Sequence, residues 1–160
     1  MHKTIFACVI FLTFFTSCKR PCVNFHINAA FIGFSTSDLD TIIIREFRPN
    51  DNYNHLVDTF LITNIPPVLY ITSNDTTIIN MDITNSNTTT YIEAGHDWQI
   101  FIPSKKRTFS ISSINSPQTE NVGRICWNPI NSLVLDNQTI IPTLNKTQNL
   151  VSGYIIYMNN

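Results

Sequence analysis

The stretch HDWQIFIPSKKRTFSISSI, residues 96–114, decides the fold class of this chain. In its second half, Phe109 and Ile111 alternate with hydroxyl-bearing residues, so apolar side chains would face a core and hydroxyls would face water. A polar turn at 103–106 separates this run from a second apolar run at 98–102. The two runs predict an antiparallel β-hairpin around that turn.

The rest of the chain repeats short apolar and β-branched runs that are broken by Asn, Asp, Pro and Ser. Runs spaced by about 8–12 residues are typical of a sandwich or barrel, and short connections favour antiparallel pairing. We therefore predict a single antiparallel β-sandwich, immunoglobulin-like or transthyretin-like, with little or no helix. Residues 53–58 are a weak helical candidate. The expected strands are 23–34, 41–47, 56–63, 68–72, 77–83, 89–93, 98–102, 107–112, 122–127, 132–135, 139–141 and 151–158.

Composition limits the classes of partner. The 160 residues fit one domain, and 43% are hydrophobic, which is enough for a sizeable core. Only 13% are charged, with a formal net charge of −1, so no basic excess is available to neutralise the phosphates of a nucleic acid. The four glycines are isolated, whereas loops that cradle phosphates need clustered glycine, so we expect no nucleotide and no cofactor.

The N-terminal segment MHKTIFACVIFLTFFTSC, residues 1–18, predicts export. Lys3 supplies a positive start, and the apolar run at 5–15 has the length of a signal-peptide core but is too short for a membrane-spanning helix of about 20 residues. Small residues then precede Cys18. An ordinary secretory signal with a coincidental cysteine, or a retained transmembrane helix, are the alternatives.

The sequence Phe15-Thr16-Ser17-Cys18 resembles a bacterial lipoprotein signal, in the relaxed form found in Bacteroidota, with Phe15 where Leu is usual. The mature part is similar to small Bacteroidota lipoproteins of unknown function. The resemblance implies cleavage before Cys18, lipid such as palmitate on that residue, and an outer-membrane or periplasm-facing location. The implied organisation is a signal peptide at 1–17, a lipidated cysteine and short tether at 18–22, and a β-sandwich domain at 23–160.

Two cysteines, Cys22 and Cys126, would remain in the mature chain besides Cys18. Exported proteins meet an oxidising compartment, which favours a disulfide between them. Two unpaired thiols are the alternative. Neither cysteine has a second Cys or His at ligand spacing, so we expect no metal site.

Known catalytic motifs do not occur in the sequence, and we expect the protein not to be an enzyme. It contains no G-x-S-x-G elbow, no H-E-x-x-H helix and no P-loop. A hydrolase with an unrecognised site would need at least two of four candidate side chains to converge. These candidates are Glu93, Asp97, His96 and Asp38.

Aromatic residues are the better indication of binding. Trp98 and Trp127 are candidate stacking surfaces for a sugar or peptide, although both tryptophans could instead fill the core. Two Asp-Thr triplets resemble the O-glycosylation motif of Bacteroidota and mark Thr41 and Thr76. The expected function is a non-catalytic interaction or accessory module, anchored to a membrane and meeting envelope proteins or glycans. The alternative is a carbohydrate- or peptide-binding lipoprotein.

Overall fold

The computed structural model describes residues 19–63, 70–73, 76–79, 83–85, 88–90, 92–118, 120–122, 127–145 and 153–160. These residues form strands and two 3₁₀ turns, Thr36–Leu39 and Pro103–Lys105, and contain no α-helix. Within them, no helix is long and apolar enough to cross a membrane. The strands are β1 Lys19–Pro21, β2 Val23–Asn24, β3 His26–Ile32, β4 Thr41–Phe47, β5 Leu56–Thr63, β6 Tyr70–Ser73, β7 Thr76–Ile79, β8 Ile83–Asn85, β9 Thr88–Thr90, β10 Asp97–Ile102, β11 Arg107–Asn115, β12 Glu120–Val122, β13 Trp127–Asn128, β14 Ser132–Leu135, β15 Gln138–Ile140, β16 Thr143–Asn145 and β17 Gly153–Asn159.

Two sheets form a β-sandwich. One has six strands in the order β15-β14-β11-β10-β4-β5, and the other has five in the order β16-β17-β3-β7-β6. Neighbouring strands in the six-stranded sheet all run antiparallel. The predicted all-β sandwich is confirmed, and so is the hairpin at its centre, since β10 and β11 pair around the 3₁₀ turn at Pro103–Lys105.

The core lies between the inner faces of the two sheets. Phe31 of β3 and Phe109 of β11 are both buried, and their ring centroids lie 6.4 Å apart across the sandwich. Phe109 and Ile111 point inward while Ser110 and Ser112 are less buried, as the alternating pattern predicts. Burial of apolar surface, at about 25 cal/mol per Å², is the main stabilising contribution to such a core.

One long strand pair departs from the expected antiparallel arrangement. β3 and β17 run parallel over seven register pairs, from Gly153 opposite His26 to Asn159 opposite Ile32. The expectation rested on short connections, and these two strands lie near opposite ends of the chain, so no hairpin constrains their direction. Both strands are buried over most of their length, which is typical of parallel strands inside a sheet.

Most predicted strands occur, several with the expected bounds, and the C-terminal run forms the interior strand β17. The weak helical candidate at 53–58 is wrong, because Tyr53 lies in a turn and β5 begins at Leu56. The expected tether at 18–22 is already partly ordered into structure, since β1 begins at Lys19 and pairs with β12.

Candidate functional site

A turn at residues 48–55 folds back over the outer face of the six-stranded sheet, where β4 ends and β5 begins. Its centre is Asp51, whose carboxylate accepts hydrogen bonds from the backbone N–H groups of Asn54 at 3.2 Å and His55 at 3.1 Å. The same carboxylate lies 2.7 Å from Nδ1 of the His55 ring. The backbone N–H of Arg48 donates to the carbonyl of His55 at 3.1 Å and closes the turn.

These contacts shift the pKa of Asp51. Partial desolvation raises the pKa. The hydrogen bonds from the His55 side chain and from the Asn54 and His55 backbone together lower it by more, so the net shift is downward. The donors of the turn therefore stabilise the ionised carboxylate of Asp51.

Three residues of this turn have left-handed backbone conformations: Asn50 with φ 60°, Asn52 with φ 55° and Tyr53 with φ 60°. Asparagine tolerates this region, whereas for a bulky residue such as tyrosine it is a costly outlier. Strained backbone of this kind persists where surrounding contacts over-determine it, and it concentrates at functional sites.

The turn encloses a cavity of about 150 Å³ against β10 and β11, which we call the turn pocket. Two further left-handed residues, Ser113 with φ 50° and Asn137 with φ 66°, also line it. The side chains that line the turn pocket are polar or amphipathic: Asn50, Asn52, Tyr53, Asp97, Ser110, Ser112, Ser113 and Asn137.

The carboxylate of Asp97 is the buried charged group of the turn pocket, and the residue is 4% exposed. It lies opposite Phe47 in the register of β10 and β4, so both side chains are on the outer face of the sheet, where the turn covers them. The ring of Tyr53 meets that of Phe47 edge to face at 5.3 Å between centroids. Oδ2 of Asp97 accepts a hydrogen bond of 2.9 Å from the Asn50 backbone N–H.

Tyr53 places its hydroxyl group among the polar groups of the pocket. Burial raises the pKa of Tyr53, and the nearby carboxylates of Asp97 and Asp136 raise it further, against hydrogen bonds with Ser112 and Ser110 that lower it. The net shift is upward from 10.0, so at neutral pH Tyr53 is an uncharged phenol that can donate and accept hydrogen bonds.

A second turn, at Asp136 and Asn137, is bonded to the pocket-lining residue Ser110. The backbone N–H of Ser110 donates to Oδ1 of Asp136 at 2.8 Å, and the N–H of Asp136 donates to the carbonyl of Ser110 at 2.9 Å. The other carboxylate oxygen of Asp136 lies 3.4 Å from the Arg107 guanidinium. This reciprocal pairing fixes β11 relative to the β14–β15 connection.

A larger cavity of about 410 Å³ lies beside β15 and β17. It is lined by apolar groups such as Ile140, and by Ile141, which is 81% exposed. Its charged residues, Arg107 and Asp136, are exposed or half-exposed and pair with each other. The turn pocket, by contrast, contains a buried carboxylate and a strained, internally bonded turn, and we therefore take the turn pocket as the candidate site.

Trp98 does not form the binding surface that the sequence suggested. It is 1% exposed, on the inner face of β10, and its indole N–H donates to the carbonyl of Glu93 at 3.0 Å. A side chain enclosed in this way has no free face for stacking, which corrects the ligand-binding expectation for this residue. Trp127 lies in β13, and its side chain is outside the described residues.

Of the four side chains considered for hydrolysis, Asp38 and Asp97 lie apart from His96. His96 contacts Glu46, with Nδ1 3.1 Å from Oε1, whereas Asp97 points to the other face of the sheet. Asp38 lies in the 3₁₀ turn at the far end of β10, and its carboxylate is 3.3 Å from Lys105. The backbone carbonyl of Glu93 accepts the Trp98 hydrogen bond, and the Glu93 charge acts on Glu46, the carboxylate that His96 contacts.

Burial raises the pKa of Glu46, His96 lowers it, and the charges of Asp58 and Glu93 raise it again, with a net upward shift. Perturbed carboxylates sometimes mark functional sites, but neither cavity described above is lined by Glu46 or His96. Their contact lies at the end of the inner face, with the His96 side chain 40% exposed.

The remaining predicted sites are only partly within the described residues. Thr41 and Thr76 are half-buried, at the starts of β4 and β7. The lipidation site Cys18 lies outside the described residues. Among the residues described, no group of three or more His, Cys, Asp and Glu could hold a metal ion.

Cys22 is buried and disulfide-bonded, but Cys126 lies outside the described residues, so their pairing stays a prediction. β2 and β13 pair in parallel with Val23 opposite Trp127, and the preceding residues in sequence are Cys22 and Cys126. Nδ2 of Asn128 also donates to the carbonyl of Cys22 at 3.1 Å. Both contacts favour the predicted bridge.

Sequence reasoning missed the turn pocket. The segment RPNDNYN, residues 48–54, is rich in turn-forming residues, and the alternation at 109–112 predicts that Ser110 and Ser112 face outward, but no local signal connects these two regions. The available signal is the three asparagines around Tyr53. Asn tolerates left-handed backbone, so such a segment indicates a tight turn.

Comparison with known proteins finds no matching family model, curated protein or solved structure.

Proposed function

We propose that the protein is a non-catalytic lipoprotein of the bacterial cell envelope, held at a membrane by lipid on Cys18. Its β-sandwich is an interaction or accessory module that meets envelope proteins or glycans, in the outer membrane or facing the periplasm. Support for the anchor comes from the apolar run at 5–15 followed by Phe15-Thr16-Ser17-Cys18. Two or more acyl chains, unlike one, give stable anchoring.

The fold is compatible with an anchor at this position. β1 begins at Lys19, one residue after Cys18, so a lipid there would hold the sandwich against the bilayer surface. Such closeness suits a module that meets other components at the membrane.

The turn pocket is the observation that carries the assignment of a binding role. It combines a buried carboxylate, a phenol and several hydroxyl and amide groups in a turn whose conformation is fixed before any ligand arrives. A preformed site binds more tightly because less ordering is needed on association. Of the candidate hydrolytic residues, Asp38 and Asp97 lie apart from His96, which favours binding over catalysis.

Carbohydrate binding is the second candidate, and the lining of the turn pocket favours it. Hydroxyl, amide and carboxylate groups are the partners that a sugar ring needs, and here they converge around Tyr53 instead of the buried Trp98. Tyr53 thus offers the aromatic contact that was expected of Trp98, while the role expected of Trp127 stays a prediction.

Metabolic labelling tests the anchor. The full-length chain, expressed in a Bacteroidota host with labelled palmitate, should incorporate the label, and Cys18→Ala should abolish it. Cys22→Ala is the matched control, and it should retain the label even where loss of the disulfide lowers the yield. A wild-type chain without label, or a labelled Cys18→Ala variant, would contradict the proposed function.

A further inference from the structure

We propose that the turn pocket binds a primary ammonium group on a small ligand, either an amino sugar or a simple amine. The inference rests on the proposed binding role of the domain and assigns the chemistry of the group that the pocket recognises.

The charge of the pocket favours a cation. Its lining includes the buried carboxylate of Asp97, and among the described residues that line it there is no Lys, Arg or His. Asp136 and Arg107 are both outside the lining and pair with each other, so Asp97 is the charged group that the lining contributes. A ligand that carries a negative charge would be repelled, and a positive one would be attracted.

Asp97 retains capacity for a ligand. Burying a carboxylate is costly unless the group is paired and hydrogen-bonded. The Asn50 backbone N–H supplies one bond to Oδ2, whereas a carboxylate offers about four lone-pair sites. An ammonium group would add both a charge and a donor at this position.

The neighbouring groups match the remaining needs of an ammonium ion. It has three N–H donors and no acceptor, so it requires about three acceptors in one place. Asp97 supplies the first, and the hydroxyl oxygens of Ser110, Ser112 and Tyr53, which also line the pocket, are further acceptors. The carbonyl oxygens of the asparagine side chains that line the pocket are further acceptors.

The size of the pocket limits the ligand. Its volume of about 150 Å³ is roughly half the lower limit of about 300 Å³ for ordinary small-molecule sites. One charged head group or one sugar ring fits such a space, and an oligosaccharide would have to extend outside it.

Calorimetric titration of the purified full chain, in phosphate instead of an amine buffer, tests the inference. The probes are methylammonium, glucosamine, N-acetylglucosamine and glucose. We expect the two amines to bind at least about tenfold more tightly than the two neutral sugars, because a charge-assisted hydrogen bond to Asp97 is stronger than a neutral one. Tighter binding of glucosamine than of methylammonium would identify an amino sugar, and equal binding a simple amine.

Two variants separate the pocket from general charge effects. Asp97→Asn keeps an acceptor oxygen for the Asn50 N–H but removes the charge, and should lower amine affinity at least about tenfold. Asp58→Asn removes an exposed carboxylate of β5, outside the pocket, and should leave binding unchanged. Urea unfolding of both variants checks that they fold.

Each outcome of the titration decides something. Neutral sugars that bind as well as glucosamine would overturn the ammonium inference and leave carbohydrate binding supported. Amine binding that survives in folded Asp97→Asn would also overturn it. Absence of binding by all four probes would contradict both the inference and the assignment of the pocket as a site, whereas the palmitate result would stand independently.

Discussion

The two faces of strand β10 differ in what surrounds them. On the inner face, Trp98, Ile100 and Ile102 are almost completely buried in the sandwich core. On the outer face, Asp97 is equally buried, but under a single turn of chain and beside polar groups. Burial on one face comes from the second sheet, and burial on the other from residues 48–55.

The six residues of β10 therefore have two physical roles, one on each face of the strand. The inner side chains exclude water through apolar contact, which is non-directional and tolerates rearrangement. The outer carboxylate of Asp97 makes a directional contact, because it accepts a hydrogen bond from a backbone N–H of the covering turn. Without that bond, its burial would cost free energy of folding. We infer that the inner face determines stability and that the outer face determines the shape of the site.

The largest expected effect is on the inner face. Trp98→Ala should lower the free energy of unfolding by about 3–5 kcal/mol, because it removes a large buried side chain and its hydrogen bond to Glu93. Urea denaturation followed by circular dichroism measures the loss. Phe101→Ala, on the half-buried outer face of the same strand, is the matched control and should cost clearly less. Equal costs would show that the two faces do not differ in stability.

A smaller effect is expected from removing the outer carboxylate. Asp97→Ala leaves the Asn50 N–H without its acceptor, which should cost about 1–3 kcal/mol. Hydrogen exchange should show faster exchange of the Asn50 amide, and Asp58→Ala, at an exposed position, should change stability by no more than about 0.5 kcal/mol. If the Asn50 amide kept its protection in Asp97→Ala, the carboxylate would not be what holds the turn.

The inner face could be predicted from the sequence, because its signal is local. Phe109 and Ile111 alternate with serines, and a period of two assigns their faces without knowledge of the rest of the fold. The two runs on either side of the turn at 103–106 therefore predict the hairpin, and the second run also predicts which side chains face the core.

The pocket could not be predicted, because its parts meet only in the folded chain. The turn at 48–55 lies over Asp97, more than 40 residues later, and the left-handed conformation of Tyr53 depends on contacts with Phe47 and Ser112. His96 and Asp97 are adjacent in the chain and point to opposite faces of the sheet, and the partner of His96, Glu46, carries no sequence signal. The same limit applies to β3 and β17, whose parallel pairing joins strands near opposite ends of the chain.

Glu46 is the exception to the division between the two faces. It lies opposite Trp98 in the register of β4 and β10, so a carboxylate occupies the end of the apolar inner face. Its side chain is 14% exposed, and desolvation is the largest cause of its raised pKa, with His96 opposing the shift.

Glu46→Gln gives the smallest expected effect, and its sign depends on pH. Because the folded-state pKa of Glu46 lies above its ordinary value of 4.5, the folded protein holds this proton more tightly than the unfolded chain. The wild type therefore loses stability as pH rises from 4.5 through the folded pKa, a loss that Gln, which does not titrate, avoids. At pH 7 the Glu46→Gln variant should be more stable than the wild type, by less than about 1 kcal/mol, and near pH 4 the two should be equal. Urea denaturation at both pH values measures the difference, with Asp40→Asn at an exposed position as the control for loss of a charge. If Glu46→Gln were less stable than the wild type at pH 7, the His96 contact would stabilise the Glu46 carboxylate by more than desolvation destabilises it.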